Sequence, residues 1–342
     1  MKTEVFFKMF ARGFQVSSTA LAFRLFGNDI SIQWYGVIIA FGFLLAVLFG
    51  GRVAYKWKMN LDKMVDVLIG GTIGGVLGAR LYYVIFHWSS YKGHFGDIFR
   101  IWEGGLAIYG GLIGGLLGAF VVCRIRKLNF LNLMDIAAMS FLIGQGIGRW
   151  GNFTNQEAFG TNTRLPWGMW SQKTADYIMM HQGEFTARGI GGVVAGTVAD
   201  KAYVHPTFLY ESLWCLLSFA VIYLICRKWR RFSGQLILCY GMLYGAERSV
   251  VEGLRLDSLY IGSSSVRVSQ LLSGILVAGC LAALIYFTLK YKKNPKPIEG
   301  IDYFPGEDSP APAEPAEEEE AVSDASEEEP AAEKEEADGA DT

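Results

Sequence analysis

The sequence predicts an all-α polytopic membrane protein with seven transmembrane helices, an N-terminus outside the cell and a C-terminus in the cytoplasm. The first supporting observation is composition: 51% of the 342 residues are apolar and 41 are glycine, a balance that soluble domains rarely carry. The second is a series of apolar stretches of about 20 residues, the length that crosses a bilayer. The third is the alternation of basic loops between these stretches.

Seven stretches are long and apolar enough to be predicted as spans. They are residues 32–51, 65–86, 105–123, 134–152, 207–226, 234–252 and 267–289. They define a membrane domain at 32–292, preceded by an extracytoplasmic N-terminal segment at 1–31. Lys8, Arg12 and Arg24 interrupt the apolar residues of this segment, and no small-residue cleavage pattern follows, so it does not resemble a secretory signal.

The loop charges predict the orientation. The loops after the first, third, fifth and seventh spans are short and densely basic, whereas the intervening loops are longer and more dilute in charge. Cytoplasmic loops carry the excess of Lys and Arg, so this alternation predicts an outer N-terminus and a cytoplasmic C-terminus. The basic residues that follow the first, third, fifth and seventh spans are Arg52, Lys56, Lys58, Lys63, Arg124, Arg126, Lys127, Arg227, Lys228, Arg230, Arg231, Lys290, Lys292, Lys293 and Lys296.

Two regions differ from the spans. Residues 153–205, between the fourth and fifth spans, are predicted to form an extracytoplasmic cap, because connections of this length are usually functional or folded.

Residues 293–342 form an acidic tail, with eighteen acidic residues and one basic residue from Glu299 onward. The tail buries too little apolar surface to fold, so we expect it to be disordered in the cytoplasm. It is either a solubilising tail or a docking segment for a partner.

Glycines form stripes in two spans. They recur at every fourth residue from Gly70 to Gly78 in the second span and from Gly110 to Gly118 in the third. Small residues at this spacing let helix backbones approach closely in lipid. The alternative is that the glycine faces leave room for an acyl chain.

Three arginines, Arg80, Arg149 and Arg248, lie within predicted spans. A cation at the bilayer centre costs about 2.5–3.5 kcal/mol on insertion scales, so unpaired positions facing lipid are unfavourable. The predicted topology places all three in the outer halves of their helices, with Tyr35 and Tyr109 near the same depth. His205 and Glu211 flank the outer start of the fifth span. We therefore expect one basic pocket open to the outer leaflet, whose guanidiniums match phosphate oxygens.

The sixth span offers a more local explanation for one of these arginines. Tyr244, Arg248, Glu252 and Arg255 recur at spacings of four, four and three residues, which places them on one helix face. This face resembles a polar wall more than a packing seam. The alternative to a pocket is that each arginine snorkels or pairs locally, as Arg248 and Glu252 can do at i, i+4.

The most informative local feature is residues 148–160, Gly-Arg-Trp-Gly-Asn-Phe-Thr-Asn-Gln-Glu-Ala-Phe-Gly. Arg149 and Asn152 are three residues apart and share a helix face. Asn155 and Glu157 add amide and carboxylate groups at the membrane surface. Glycines, including Gly160, permit tight turns and close approach of a ligand. From these residues alone, a glycine-rich helix end remains an alternative.

This run closely resembles the signature GRxGNFxNxExxG of the prolipoprotein diacylglyceryl transferases, and all eight fixed positions are present. Five further segments resemble the family in the same order, and the resemblance covers roughly residues 25–292. The segments are QWYG at 33–36, GAR at 78–80, GLAIYGG at 105–111, HPTFLYE at 205–211, and YGAER at 244–248 continuing to Glu252 and Arg255.

The resemblance implies a multi-pass enzyme of the bacterial plasma membrane whose active site faces the outer leaflet. Members of the family transfer the diacylglyceryl group of phosphatidylglycerol to the lipobox cysteine thiol of prolipoproteins, the first step of lipoprotein maturation. A thioether forms and glycerol phosphate leaves. The expected partners are therefore phosphatidylglycerol, prolipoprotein signal peptides with a lipobox cysteine and the lipid bilayer, without nucleic acid.

This chemistry requires no cofactor and no metal. Displacement at the glyceryl carbon needs a thiolate nucleophile and a stabilised phosphate leaving group, and preorganised guanidiniums suit the second need. The five cysteines are scattered without CxxC pairing, so a disulfide framework or a zinc site is not expected.

The resemblance also implies residue roles. Arg149 and Asn152 are expected to bind the phosphatidylglycerol headgroup, and Arg248 to stabilise the phosphate in the transition state. The other expected pocket members are substrate contacts or structural ion-pair partners. They are Tyr35, Arg80, Asn155, Glu157, Gly160, Tyr244, Glu252 and Arg255.

One position departs from the family pattern. Many relatives carry a histidine, proposed as the base for the thiol, where this chain has Tyr109. A tyrosine pKa of about 10 makes a poor base at neutral pH unless a nearby arginine lowers it. Tyr109 is thus a candidate catalytic residue that either positions the headgroup or takes part in proton transfer. His205 is a candidate replacement base, although the proline that follows it favours a structural corner.

Two other function classes compete with the transferase. A transporter or channel with an arginine-built anion site predicts internal repeats or interrupted helices at the midplane, and the sequence shows no half-to-half symmetry. A non-catalytic lipid-binding protein descended from the enzyme family is the second alternative. The retention of every fixed signature position disfavours it.

Overall fold

Helices dominate the fold and occur at every predicted span. The computed structural model describes residues 2–10, 12–25, 28–93, 95–188, 190, 192–197, 199–256, 267–294 and 298. The helices are α1 (Trp34–Lys56), α2 (Leu61–Phe86), α3 (Trp88–Tyr91), α4 (Ile108–Arg126), α5 (Phe130–Asn155), α6 (Gln172–Ala187), α7 (Thr207–Lys228), α8 (Gln235–Leu254) and α9 (Val268–Lys293). The predicted acidic tail lies outside the described residues apart from Lys293, Asn294 and Ile298.

Among the described helices, six are long and apolar enough to cross a membrane: α1, α2, α4, α5, α7 and α9. The predicted sixth span coincides with α8, which does not meet the same criterion. Its 20 residues include Glu247, Arg248 and Glu252, three charged side chains that lower its hydropathy. The polar character of α8 is therefore concentrated in its last two turns.

The helix ends have local chemical causes. The Asn60 side chain accepts a hydrogen bond from the N–H of Lys63 at 3.0 Å and begins α2. Asn129 begins α5 in the same way, accepting from the first-turn N–H groups of that helix. Basic residues occupy the last turns of α1, α4, α7 and α9 but not those of α2, α5 and α8. Cations at a helix C-terminus complement the helix dipole, so the loop charges that predict orientation also stabilise these ends.

The all-α prediction is wrong for the N-terminal segment, which forms strands. The strands are β1 (Lys2–Phe7), β2 (Phe14–Ser17), β3 (Thr19–Leu25), β4 (Asn28–Gln33) and, within the cap, β5 (Met169–Ser171). Strands β2, β1 and β5 form an antiparallel sheet in that order, and β3 pairs with β4 in a separate hairpin. Short alternating patterns such as Ile30-Ser31-Ile32 indicate strands, but they are invisible to a search for 20-residue apolar stretches.

The glycine stripes lie at the contact between α2 and α4, as the structural interpretation predicts. A Cβ atom placed on Gly74 would lie 2.5 Å from the carbonyl oxygen of Gly114. Gly78 likewise lies against Gly110, and Gly70 against Gly118. No side chain fits between these backbones, so the stripes hold the two helices in direct contact.

A buried ion pair fixes the start of α8 on α5. The Asp135 carboxylate lies 2.8 Å from Nη2 of Arg230, and both side chains are almost completely buried. The same carboxylate accepts hydrogen bonds from the N–H groups of Gly234, Leu236 and Ile237 at 2.8–3.0 Å. Asp135 on α5 thus caps the first turn of α8, which sets the position of the charged residues that follow along the helix.

The cap, residues 153–205, has its own apolar core. Val5 from β1, Met169 from β5, Ile178 from α6 and Val204 are all at most 1% exposed. Phe208, in the first turn of α7, packs in the same cluster. The cap is therefore anchored to the end of α5 and the start of α7, where the candidate site lies.

Candidate active site

Two arginines and two glutamates from three helices form an ion-pair network. Nη1 of Arg149 on α5 lies 3.1 Å from Oε2 of Glu211 on α7. Nη1 of Arg248 on α8 lies 3.5 Å from Oε1 of the same glutamate. Nη2 of Arg248 also lies 2.8 Å from Oε2 of Glu252, one turn further along α8. Glu211 therefore bridges the two predicted functional arginines.

The two kinds of side chain in this network differ in exposure. Arg149 and Arg248 keep 23% and 20% of their side-chain surface accessible, whereas Glu211 and Glu252 keep 1% and 2%. The carboxylates lie behind the guanidiniums and are sealed in the protein. The network is balanced in formal charge, but the part of it that remains accessible belongs to the arginine side chains. Accessible arginine side chains suit a phosphate group, whose oxygens accept from guanidinium forks.

Helix ends bring these residues together. Arg149 lies near the end of α5, Glu211 near the start of α7 and Arg248 near the end of α8. Close packing of α5 on α7 supports the contact, because Ser212 donates to the carbonyl oxygen of Gly146 at 2.9 Å and accepts from Trp150 at 3.2 Å. The side chains of Arg149, Glu211 and Arg248 therefore meet at one level of the helix bundle.

The signature continues past α5 in a turn with two left-handed residues. Gln156 and Ala158 have φ values of +55° and +56°, a conformation that residues other than glycine seldom adopt and that recurs at functional sites. Between them, Glu157 accepts hydrogen bonds from the side-chain amides of Asn152 at 3.0 Å and Asn155 at 3.3 Å. The predicted substrate-binding amides are thus oriented by the carboxylate of the same motif.

Gly160 lies where three segments converge. It pairs with Arg255 in an isolated antiparallel bridge, and its N–H donates to the carbonyl oxygen of His205 at 2.9 Å. A Cβ atom at this position would lie 2.8 Å from Cβ of His205. Glycine is therefore required sterically, and the bridge holds Arg255 directly after the last turn of α8.

The predicted aromatic residues Tyr35 and Tyr244 lie on helices of the same region. A Cβ atom on Gly151 would lie 2.7 Å from the ring of Tyr35, so this ring packs on the signature helix. Tyr244 precedes Arg248 by one turn and stacks on Tyr240, with ring centroids 5.9 Å apart. Tyr35 thus contacts the helix that carries Arg149, and Tyr244 lies on the helix that carries Arg248.

Arg80 has a different environment from the other two arginines. Its side chain is buried, and its guanidinium donates to backbone carbonyls of the loop before α4 instead of pairing with a described carboxylate. The acceptors are Asp97 at 2.6 Å, Gly104 at 2.7 Å, Ile98 at 2.8 Å, Gly105 at 3.0 Å and Arg100 at 3.3 Å. Arg80 therefore organises residues 97–105, the loop that leads into the first turn of α4 and to Tyr109.

Tyr109 lies in that first turn and is 54% exposed. Its hydroxyl makes no hydrogen bond with the residues that the structure describes. The start of α4 is fixed to α2 by the N–H of Ala107, which donates to the carbonyl oxygen of Ala79 at 3.1 Å. Tyr109 is thus placed by backbone contacts and keeps an accessible hydroxyl.

His205 occupies a structural corner. Its Nδ1 lies 3.0 Å from the hydroxyl of Tyr210, which also accepts from the indole N–H of Trp167 at 2.9 Å. Its backbone bonds to Gly160 and Thr161 join the cap to α7. Burial lowers the pKa of His205, which favours the neutral imidazole at neutral pH. These contacts support the structural interpretation over the replacement base.

Of two buried carboxylates in this region, Glu211 was expected beside the pocket without an assigned role, and Glu247 was not singled out. Glu211 is the bridge between Arg149 and Arg248, and Glu247 is a second buried carboxylate, 7% exposed, in the electrostatic neighbourhood of both arginines. A carboxylate within an apolar helix costs as much as an arginine and needs a partner. The same argument that singled out the arginines therefore applies to these glutamates. Among the described residues, no group of His, Cys, Asp and Glu side chains has the arrangement of a metal site.

Comparison with known proteins identifies the family. The family model described as prolipoprotein diacylglyceryl transferase matches residues 20–286. A phosphatidylglycerol–prolipoprotein diacylglyceryl transferase of Listeria innocua is 43% identical over 269 residues, which are 78% of this chain and 89% of the relative. Relatives of the same name in Finegoldia magna and Clostridioides difficile are 39% and 38% identical, over 80% of this chain and 96% and 97% of their own lengths. The chain belongs to the prolipoprotein diacylglyceryl transferase family.

Proposed function

We propose that this protein transfers the diacylglyceryl group of phosphatidylglycerol to the lipobox cysteine thiol of prolipoproteins, at the outer leaflet of a bacterial plasma membrane. The observation that carries the proposal is the arginine pair Arg149–Arg248, whose side chains remain partly accessible beside buried carboxylates. Family membership supports the reaction class, because the relatives carry the names of both substrates.

The reaction is a substitution at the glyceryl carbon that is joined to phosphate. The cysteine sulfur forms a C–S bond, the C–O bond to phosphate breaks, and its electron pair leaves with glycerol phosphate. The thiol proton is taken up by the departing phosphate or by water, so charge and atoms balance. Negative charge increases on the phosphate as the C–O bond breaks, and donors that are preorganised around that charge would lower the barrier.

The arginines take distinct roles in this scheme. Arg149 and Asn152, one turn apart on α5, bind the headgroup phosphate and glycerol hydroxyls of phosphatidylglycerol. Arg248 stabilises the leaving phosphate. Glu211 contacts both guanidiniums, so it holds them at a fixed separation before substrate enters. Preorganisation of this kind removes the cost of reorienting donors during the reaction.

The remaining predicted site residues orient the substrate-binding side chains or surround them. Glu157 orients Asn152 and Asn155, Glu252 orients Arg248, and Arg80 orders the loop that carries Tyr109 into the site. Tyr35, Tyr244, Gly160 and Arg255 form the walls and the backbone bridge around the arginines. We assign Tyr109 to positioning the headgroup through its accessible hydroxyl.

The membrane arrangement is part of the proposal. Residues 32–292 form the membrane domain with seven spans, in which α8 crosses as a polar helix shielded by α5, α7 and α9. Residues 1–31 and the cap lie outside, and residues 293–342 form a disordered cytoplasmic tail. Basic last turns on alternate helices support this orientation. The ends of α5 and α8 and the start of α7 then face the outer leaflet.

The test is a mass assay on membranes that contain the full chain. Phosphatidylglycerol and a synthetic lipobox peptide are supplied, and a peptide with serine in place of the cysteine serves as the matched control. We expect a diacylglyceryl mass gain on the cysteine peptide alone, lost in the Arg149→Gln variant. A correctly inserted protein that gives no mass gain would contradict the proposed transfer, and an unaffected Arg149→Gln variant would contradict the site.

A further inference from the structure

The hairpin formed by β1 and β2 lies before residue 20, where the family match begins. We call its turn, together with the first residue of β2, the hairpin tip. The tip residues that matter here are Lys8, Met9, Phe10, Arg12 and Phe14. The three apolar side chains are 51%, 51% and 47% exposed. Phe10 also packs edge-on against Phe14, with ring centroids 5.5 Å apart. The tip therefore presents a clustered apolar surface instead of one isolated side chain, and such surfaces mark interaction sites.

The hairpin is firmly attached to the cap. Strand β1 pairs with β5 over three residues, and the N–H of Lys8 donates to the carbonyl oxygen of Gly168 at 2.9 Å. Phe7 stacks on Phe153 at the end of α5, with ring centroids 6.2 Å apart. Val5 is completely buried in the cap core. The hairpin and the cap are therefore packed together as one unit.

The tip borders an exposed apolar side of α7. Met9 lines an open apolar cavity of about 410 Å³ together with Trp167, Leu209, Tyr210 and Leu213. The last three residues belong to the first two turns of α7. Further along that helix, Leu216 and Leu217 are 65% and 56% exposed, as expected of side chains that contact acyl chains. The apolar surface of the tip is therefore continuous with a surface that faces lipid.

The charges around the tip fit an anionic membrane surface. Lys8 and Arg12 flank the apolar residues, and Arg164 lies beside them because its carbonyl oxygen accepts from Nζ of Lys8 at 2.6 Å. The tip itself contains no acidic residue. Basic residues beside exposed aromatics are the composition of segments that lie in the headgroup region and bind anionic lipids.

We propose that the hairpin tip inserts Met9 and Phe10 into the outer-leaflet interface, with anionic phospholipid headgroups as the partners of Lys8 and Arg12. The tip thereby ties the cap to the bilayer surface beside α7. This proposal uses the placement of the outer end of α7 at the membrane surface and does not depend on the transfer reaction.

The test places an environment-sensitive fluorophore at the tip of the full chain. A Phe10→Cys variant is labelled under native conditions, in which the five native cysteines are buried. The matched control is Gln15→Cys, an exposed position further along the same hairpin. Both proteins are reconstituted into vesicles of phosphatidylglycerol and phosphatidylcholine that carry a shallow lipid-attached quencher. We expect quenching at position 10 several times that at position 15.

Equal quenching at the two positions, or a water-like emission spectrum at position 10, would overturn the proposal. The anionic component is tested in pure phosphatidylcholine vesicles, where quenching at position 10 should fall, and unchanged quenching would refute the role of the basic residues. Transfer activity is measured on the same samples. A protein that transfers normally but lacks quenching disproves the anchor alone, whereas quenching without transfer counts against the proposed reaction alone.

A second measurement tests the link between tip and cap. In vesicles, the Met9→Ser/Phe10→Ser variant is expected to increase trypsin cleavage within the cap severalfold over a matched Gln15→Ser variant. An unchanged cleavage rate would contradict the anchoring role. Neither substitution touches the arginine network, so membrane insertion and the fold of the site serve as internal controls.

Discussion

Two arginine–carboxylate clusters with buried carboxylates, formed by described residues, lie at opposite ends of α5 and α8. In the first, Arg230 is paired with Asp135, donates to Asn132 at 2.9 Å and lies over the ring of Trp57. Its side chain is 1% exposed. In the second, Arg149 and Arg248 share Glu211 but keep about a fifth of their surface accessible. Residues 135 and 149 are both on α5, about 21 Å apart along its axis.

The difference in arginine exposure distinguishes a cluster that stabilises the fold from one that we propose binds substrate. Both clusters satisfy the requirement that a charge inside an apolar bundle has a partner. The Arg230 cluster uses its charges to join α5 to the start of α8 and leaves no accessible donor edge. The Arg149–Arg248 cluster buries its carboxylates almost completely and leaves part of both arginine side chains accessible. Exposure of the cation, and not the presence of an ion pair, distinguishes the proposed active site.

The largest expected effect on activity comes from the cluster of Arg149, Arg248 and Glu211, which we call the open cluster because its arginines are partly accessible. Arg248→Gln keeps a polar side chain but removes the charge that we propose stabilises the leaving phosphate. We expect transfer to a lipobox peptide to fall by about 100-fold or more, the loss typical of deleting one preorganised donor. Initial rates in reconstituted vesicles provide the measurement. Near-normal transfer with intact insertion would show that exposure does not mark the catalytic arginines.

Substitutions in the cluster of Asp135 and Arg230, which we call the sealed cluster because both side chains are buried, should lower the free energy of unfolding. Asp135→Asn leaves the buried Arg230 without its counter-charge, and breaking such a pair costs about 3–5 kcal/mol. Unfolding in mixed micelles should show this loss, while the transfer rate per folded molecule stays close to wild type. The double variant Asp135→Asn/Arg230→Met should recover part of the stability. A variant that loses activity but not stability would reverse the contrast between the clusters.

Glu211 sharpens the comparison because it is buried like Asp135 but belongs to the open cluster. Glu211→Gln keeps a polar group near Arg149 and Arg248 but loses the charge that holds them together. A hydrogen bond to a charged group contributes about 1.5–3 kcal/mol, so we expect transfer to fall by about 10- to 100-fold. Kinetics at several phosphatidylglycerol fractions measure this effect. A change in stability alone would place Glu211 with the sealed cluster.

A smaller effect is expected from Tyr109→Phe. If the hydroxyl orients the headgroup, its loss removes one hydrogen bond of about 1 kcal/mol, and the rate should fall by less than about tenfold. The dependence of the rate on pH should be unchanged. A complete loss of rate, or the disappearance of one limb of the pH profile, would assign proton transfer to Tyr109.

The smallest expected effect is a pH dependence of stability through His205. Its folded-state pKa is lowered by burial, below the unfolded value of about 6.5. The unfolded chain therefore binds more protons between the two pKa values, so stability is full above about pH 6.5 and decreases as the pH falls below it. His205→Gln should remove this component from unfolding curves recorded between pH 7 and 5. An identical pH dependence in the variant would contradict it.

The helices were predictable from the sequence because the length of an apolar stretch determines them. The strands, their pairing and the partners of the charged side chains were not. Strand β1 pairs with β5, more than 160 residues further along the chain, and no local pattern encodes that partnership. Glu211 shows a similar limit: its neighbours in sequence do not reveal that two arginines from other helices share it. Arg80 resembled the other arginines in position along its span, but the acceptors that it contacts belong to a loop whose path the sequence does not specify.

Native mass spectrometry of lipid retained by the purified protein tests most directly whether Arg149 and Arg248 form the phosphate site. Wild type and Arg149→Gln/Arg248→Gln are extracted from membranes with equal amounts of phosphatidylglycerol and a neutral diacylglycerol. The wild-type protein should retain phosphatidylglycerol preferentially, and the double variant should lose that preference while remaining folded. Equal retention of phosphatidylglycerol by both proteins would contradict the assignment of the open cluster.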